Sequence, residues 1–181
     1  MRTPITTQEF QPLFQSFKHE AFRLETLDQY LVVPEEREFK RFLNGEPLPE
    51  VQNKPWCDQI RNNISQGKRM RRVHVLTLPL TPYLRFEIDW GYIFSLAAGE
   101  EIFILDRNQL SDFSLIQVGD FWLFDDDILI RMLYDDTGKQ LGRERDNDPE
   151  AISNCRAIRD RLLPLATPLR NFLRRERNRQ D

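Results

Sequence analysis

Cysteine, histidine and glycine are scarce in this chain of 181 residues, which holds two, two and seven of them. Cys57 and Cys155 lie far apart and match no metal-ligand spacing, so they read as buried or free thiols. A disulfide between them needs a fold that brings them together. With His19 and His74 alone, a Cys–His or Ser–His nucleophile pair has no supporting spacing. No Gly-x-Ser-x-Gly elbow occurs, and the glycines form no phosphate-cradling loop. No apolar run approaches the roughly 18 residues of a membrane-spanning helix. The first ten residues lack the apolar centre of a signal peptide. The expected location is the cytoplasm, with no membrane contact, and no cofactor or metal is expected.

What is present is a core. The chain is 40% apolar and carries 13 Phe, 3 Trp and 4 Tyr. Its length suits a single domain, 1–181. Within it, residues 1–66 read as a helical and strand part, 67–165 as a mixed-sheet core with a C-terminal helix, and 170–181 as a basic tail. The net charge is −3. From Arg156 onward eight arginines face Asp160, Glu176 and Asp181, so this end is roughly +5 and the remainder roughly −8.

Thr6-Thr7-Gln8-Glu9 forms a capping signal before Phe10, Leu13, Phe14, Phe17 and Ala21, which recur at helical spacing. Residues 22–33 read as an extended pair bent around Leu27-Asp28-Gln29. Pro34-Glu35-Glu36 starts a second helix, and Asn44-Gly45 stops it. After a loop at 46–55, the pattern predicts a helix over 56–66 and a strand over 70–78. In that strand Val73, Val75 and Thr77 alternate with Arg72, His74 and Leu76. Residues 83–88 read as a short extended piece or a helix start, 92–98 as a helix, and 102–105 as a buried strand. Strands follow at 121–124, 128–134 and 140–145. Asp148-Pro149 then caps the last helix, and the tail Arg170–Asp181 is expected to fray. The whole reads as α+β, a mixed sheet flanked by helices.

Four groups of residues carry candidate chemistry. His19, Arg23 and Glu25 form either an anion-binding or acid–base cluster or a salt-bridge knot at a helix–strand corner. Tyr83, Arg85 and Glu87 alternate at period two. On one strand face they could clamp a carboxylate or phosphate with Glu87 as base, or they could be a cross-strand salt bridge beside a tyrosine. Asp125, Asp126 and Asp127 interrupt an aromatic strand. They are a charged hairpin turn or oxygen ligands, but without the spacing or glycine of an EF-hand loop. Lys68-Arg69-Met70-Arg71-Arg72 and the Arg-rich tail could contact phosphates, or could pair with the acidic body.

Two further readings rest on resemblance. Phe14–Thr26, Pro79–Glu87, the Phe-Trp-Leu-Phe-Asp-Asp of 121–126 and Asn147-Asp148-Pro149 together resemble a family of uncharacterised bacterial proteins, common in actinomycetes, over nearly the whole chain. Members often sit beside small helix-turn-helix regulators, which implies a regulatory setting and a regulator or other protein as partner. The second half is similar in its order of elements to a phospholipase-D-like half-domain, behind an N-terminal helical extension. His74 is followed by Val75 and Leu76, so that superfamily's His-x-Lys-x4-Asp motif is missing.

The expected function is a non-enzymatic regulatory or binding module. A small anionic ligand or partner peptide would sit among His19, Arg23, Glu25, Tyr83, Arg85, Glu87 and Asp125. The alternative is an acid–base enzyme acting on a phosphate- or carboxylate-bearing molecule, with Glu87 as base, Arg85 as oxyanion partner and His19 as acid. Nucleic-acid binding through the basic segments is the third option.

Overall fold

The computed structural model describes residues 1–31, 35–50 and 52–178. Val32, Val33 and Pro34, expected to end the extended pair and open the second helix, lie outside the described residues. So do Val51 of the expected loop and residues 179–181 of the tail.

The chain starts with β1 (Arg2–Pro4), α1 (Thr7–Phe10) and α2 (Leu13–Ser16). The capping box forms as the sequence predicts: Thr6 Oγ1 accepts from the Glu9 N–H, and the Glu9 carboxylate accepts from the Thr6 N–H at 2.7 Å. The single helix expected through Ala21 does not form. Pro12 interrupts it, because proline has no N–H to continue the ladder. Further on, the Asp125 carboxylate accepts the N–H groups of Lys18, His19 and Glu20 at 2.6, 2.7 and 3.0 Å and draws the chain into β2 (Glu20–Glu25). Phe10 and Phe14 stay at helical spacing and stack edge-on, Phe14 also meeting Trp56 and Trp122.

α3 (Glu36–Leu43) and α4 (Lys54–Ser65) lead to β3 (Arg69–Leu76). Then come α5 (Pro82–Phe86), a π-helical turn over Glu87–Gly91, α6 (Tyr92–Ala98) and β4 (Glu101–Asp106). Of the two readings of 83–88, a short extended piece or a helix start, the helix start is the one that forms. Thr81 Oγ1 accepts from the Leu84 N–H and Pro82 occupies the first turn, which commits the segment to helix. A short α7 (Ser114–Gln117) precedes β5 (Phe121–Phe124), β6 (Ile128–Tyr134) and β7 (Gln140–Asp146). Asp125 and Asp126 form the hairpin turn between β5 and β6 at φ 50° and 66°. α8 (Pro149–Leu162), the two-residue β8 (Thr167–Pro168) and α9 (Leu169–Arg177) complete the chain. The basic tail does not fray from Arg170: α9 runs through it to Arg177, with Leu169 and Phe172 buried against β4 and α5.

The sheet has eight strands among the described residues, in the order β1-β7-β6-β5-β2-β3-β4-β8. β2, β3 and β4 run parallel and the remaining pairs antiparallel. The α+β class and mixed sheet are those the sequence predicts. Residues 1–66 contribute more than helices, however, since β2 is a central strand.

Each face of the sheet has its own character because side chains alternate along a strand. Phe22, Leu24, Val73, Val75, Phe121, Leu123 and Leu129 form one apolar face under α8. The opposite face carries Ala21, Arg23 and Glu25 on β2, and Met70, Arg72 and His74 on β3. It is covered by α4 and by the segment from α5 to α6. Cys57 and Cys155 belong to opposite faces and both are free.

The turn after β6 is tied to this second face. Leu31 N–H donates to the Gly138 carbonyl at 2.9 Å, and a Cβ on Gly138 would lie 2.2 Å from the Gln29 carbonyl oxygen. With φ at +84° in addition, Gly138→Ala is expected to cost roughly 1–3 kcal/mol. Gly142→Ala, with open space around its Cβ, should shift the urea midpoint little. Equal midpoints for the two variants would contradict this account.

Candidate functional site

The parallel register of β2 and β3 sets Arg23 beside Arg72 and Glu25 beside His74, all on the covered face. Two adjacent buried guanidiniums repel unless acids separate them. Arg72 Nη1 donates to both oxygens of Glu25 at 2.7 and 2.8 Å, and its Nε to Glu100 at 2.9 Å. Arg23 Nη2 donates to Asp120 at 2.8 Å, and its Nε reaches Glu25 at 3.4 Å. Asp120, just before β5, also accepts from Tyr30 Oη at 2.7 Å and from Thr26 N and Oγ1 at 2.9 and 2.7 Å. Burial alone would raise the Glu25 pKa, but the charges of Arg72, Arg23 and His74 outweigh it and hold the carboxyl well below the usual range.

His74 is fully buried at the centre. Nε2 lies 2.8 Å from the Leu27 carbonyl, which can only accept, so Nε2 carries a proton. Tyr92 Oη donates to Glu25 at 2.7 Å and stands 2.8 Å from His74 Nδ1. The phenol proton is already engaged, so Nδ1 is the donor to Tyr92. Glu87 Oε2 lies 3.3 Å from the same nitrogen. The network therefore assigns an imidazolium. Burial opposes the charge, but Glu87, Glu25 and the Leu27 carbonyl prevail and lift the pKa to about 9.

The π-helical turn places Glu87 and Tyr92 together. Five residues along an α-helix two side chains are roughly 140° apart. Here the Tyr92 N–H bonds to the Glu87 carbonyl, the five-residue step of a π-turn, so both side chains face His74.

Above this network lies a cavity of about 90 Å³ walled by Glu35, Glu87, Trp56, Phe86, Tyr92 and Phe94, with Gln52, Cys57 and Arg72 also on its lining. On its wall the buried Gln52 Oε1 makes no hydrogen bond, and Glu87 Oε2 has only the 3.3 Å ion pair with His74 Nδ1. Burial, then the negative charges of Glu87 and Glu25, push the Glu35 carboxyl up to about 7, against the pull of Arg72. A second cavity of about 230 Å³ also borders Glu35 and is lined by Tyr30, Leu31, Phe39 and Tyr83.

Of the residues singled out from sequence, Arg23, Glu25 and Glu87 meet around His74. Tyr83 shares the Glu87 side of its helix, four residues away, and packs on Phe39 at 5.7 Å between ring centroids. Arg85 falls on the other side of that helix and acts on Asp89, whose pKa it lowers against the larger effect of burial. His19 is exposed at the far end of β2, six residues and about 20 Å from Glu25. Asp125 lies there too, closing the turn described above. The structure thus separates His19, Arg85 and Glu87, and the single-face premise for Tyr83, Arg85 and Glu87 is corrected.

The basic run pairs with acids: Arg69 with Glu101, Arg71 with Glu20, and Arg72 with Glu25 and Glu100. Arg72, His74, Tyr92, Asp120 and Glu35 were missed as site residues. The one usable signal was Arg72 and His74 alternating with Val73 and Val75, which marks a polar face on a strand too apolar to lie at the surface. Glu25, His74 and Glu87 each place one ligand atom within 4.8 Å of the others and so could hold a metal ion. As folded, Glu25 is already bound by Arg72, Arg23 and Tyr92.

The model of a domain of unknown function, DUF6879, matches residues 8–174. The chain belongs to the DUF6879 family. No curated protein matches this DUF6879 chain. Among solved structures, NucT from Helicobacter pylori is similar at 10% identity and a TM-score of 0.49, over 93% of this chain and 98% of that one. At that level no role passes from NucT to any residue of the DUF6879 chain. Among its described residues no helix is long and apolar enough to cross a membrane.

The raised pKa of His74 fixes the sign of a pH dependence. Its ion pairs stabilise the fold fully below the ordinary histidine value of 6.5, and that contribution is lost as pH rises through about 9. Urea midpoints measured between pH 6 and 10 are expected to fall over this window. In His74→Gln, which cannot titrate, that portion of the fall should vanish. An unchanged pH profile in the variant would overturn the imidazolium assignment.

Proposed function

We propose that the protein is a ligand-binding module whose pocket at Glu35 and Glu87 takes a positively charged group rich in hydrogen-bond donors. The observation that carries this reading is the imbalance of charge at the cavity. Glu25, Glu35, Glu87, Glu100 and Asp120 stand against Arg23, Arg72 and the His74 imidazolium. Of these groups Glu35, Glu87 and Arg72 border the cavity, so two carboxyl groups stand against one guanidinium there.

Gln52 Oε1 lacks a donor there and Glu87 Oε2 has only its 3.3 Å ion pair with His74, and an unsatisfied buried acceptor costs about 1–3 kcal/mol. Trp56, Phe86 and Phe94 also line the cavity, and aromatic rings attract an ammonium or guanidinium, as the Tyr92 ring already does the Arg72 guanidinium at 5.1 Å. An anionic ligand, as expected from the sequence, would meet the wrong sign of charge. The binding role expected from the sequence is kept and the sign of its ligand is reversed. In the regulatory setting that the resemblance implies, such a module would report the ligand to a helix-turn-helix partner.

Thermal-shift titration tests the sign of the ligand. Ethylammonium and methylguanidinium should raise the melting temperature, whereas acetate and phosphate should not. Glu87→Gln and Glu35→Gln should each weaken the cation response by about tenfold or more in Kd. A response to the anions alone would reverse the proposal.

The pH dependence follows from Glu35, which faces Glu25 of β2, Arg72 of β3 and Glu87 of the π-turn. Ionisation of Glu35 near pH 7 strengthens the attraction, so cation affinity should climb between pH 6 and 8. Cys57 supplies an independent readout, since it borders the cavity while Cys155 lies on the opposite sheet face. A cationic methanethiosulfonate should label Cys57 faster than its anionic counterpart, and equal rates would count against the charge argument.

A further inference from the structure

The Glu35–Glu87 cavity and the cavity beside it share a wall. Glu35 borders both. Tyr83, on the lining of the second, is close enough to Glu87 and Glu35 of the first that their charges add to burial in raising its pKa. The two cavities differ in chemistry. The first is bordered by the carboxyl groups of Glu35 and Glu87 and by the unpaired Gln52 Oε1. The second has a floor of Tyr30 and Tyr83, both buried, with Phe39 across from them and Leu31 at 47% exposure toward the mouth. Its polar residues, Gln29, Glu36 and Lys139, are exposed.

Size is informative as well. A cavity of about 150 Å³ lined by apolar side chains holds a benzene ring, and the second cavity measures about 230 Å³. The first, at about 90 Å³, suits an ammonium or guanidinium head. Tyr30 and Tyr83 are held 6.5 Å apart by their ring centroids, and Tyr30 is anchored through its hydroxyl to Asp120. This aromatic floor is therefore part of the same rigid network that orients His74.

From this we infer that one ligand occupies both cavities: an aryl-alkyl amine or guanidine, its cationic end against Glu35 and Glu87 and its ring among Tyr30, Phe39 and Tyr83. The inference rests on the cationic reading of the first cavity and adds the chemical class of the whole ligand. Glu35, among the described residues the one that borders both cavities, is where the linker would cross. A flat, apolar body explains why the second cavity presents rings rather than hydrogen-bonding groups to its interior.

Isothermal titration with three probes tests it: ethylammonium for the head alone, 2-phenylethylammonium for head and ring, and 3-phenylpropionate for ring and opposite charge. The full probe should bind at least about tenfold tighter than ethylammonium and with a more negative heat-capacity change, and the carboxylate should not compete with it. Leu31→Trp, which fills the second cavity from its mouth, and Phe39→Ala, which removes one wall, should each bring the affinity ratio toward one. If ethylammonium binds and the full probe binds no tighter, this inference fails while the cationic pocket stands. If neither ammonium binds, the cationic pocket itself fails and takes the inference with it. A tenfold gain that persists in both variants would place the ring elsewhere and overturn the assignment.

Discussion

The bridge from Arg72 to both oxygens of Glu25 is the contact on which the rest of the arrangement depends. It joins two parallel neighbours, β2 and β3, across a face shielded from water. Without Glu25, Arg23 and Arg72 would be adjacent like charges in a poorly solvated layer. Buried ion pairs recover much of their desolvation cost through mutual attraction and hydrogen bonds, and add little net stability. Their stronger effect here is on register. A slip of one residue between β2 and β3 would turn Arg72 and His74 into the apolar face beneath α8, and Val73 and Val75 out toward the acids.

The placement of the remaining charges follows from that bridge. Arg72 also holds Glu100, and Arg23 holds Asp120, so both guanidiniums point along the sheet. Tyr92 joins Glu25 to His74, and His74 closes on the carbonyl of Leu27. The helical layer contributes Glu35 and Glu87 to the cavity and no positive charge of its own on that lining. The strand side thus carries Arg23, Arg72 and His74 together with Glu25, Glu100 and Asp120, and the helical layer adds Glu35 and Glu87 at the cavity. In the proposed reading, the cationic ligand answers the two acids that the helical layer adds.

Most of the elements were legible because their periodicity is strong. The strands at 121–124 and 128–134, the capping box at Thr6 and the Asp148-Pro149 helix start all follow from local chemistry, and each forms where the pattern places it. The failures have identifiable causes. The helix expected through Ala21 ends early because Asp125, more than a hundred residues away in the chain, captures three backbone N–H groups. At 83–88, where the pattern left a short strand and a helix start open, Thr81 caps a helix. There, alternating polar residues, which suit a strand, also suit a helix packed on one side. Of the site, Arg23, Glu25 and Glu87 were legible as ionisable residues in apolar surroundings. His74 was visible only as an isolated histidine.

Local sequence determined which segments are helix or strand, and which strand faces are apolar, since these depend on neighbours a few residues apart. Only the tertiary structure decided that Glu25, His74, Glu87 and Tyr92 share one centre, and that His19 and Arg85 stand apart from it. The physical reason is that charge pairing acts through space. The partner of Glu25 is set by the register of β2 on β3, and the alignment of Glu87 with Tyr92 by one extra residue in a helical turn. Neither is written in the spacing of residues along the chain.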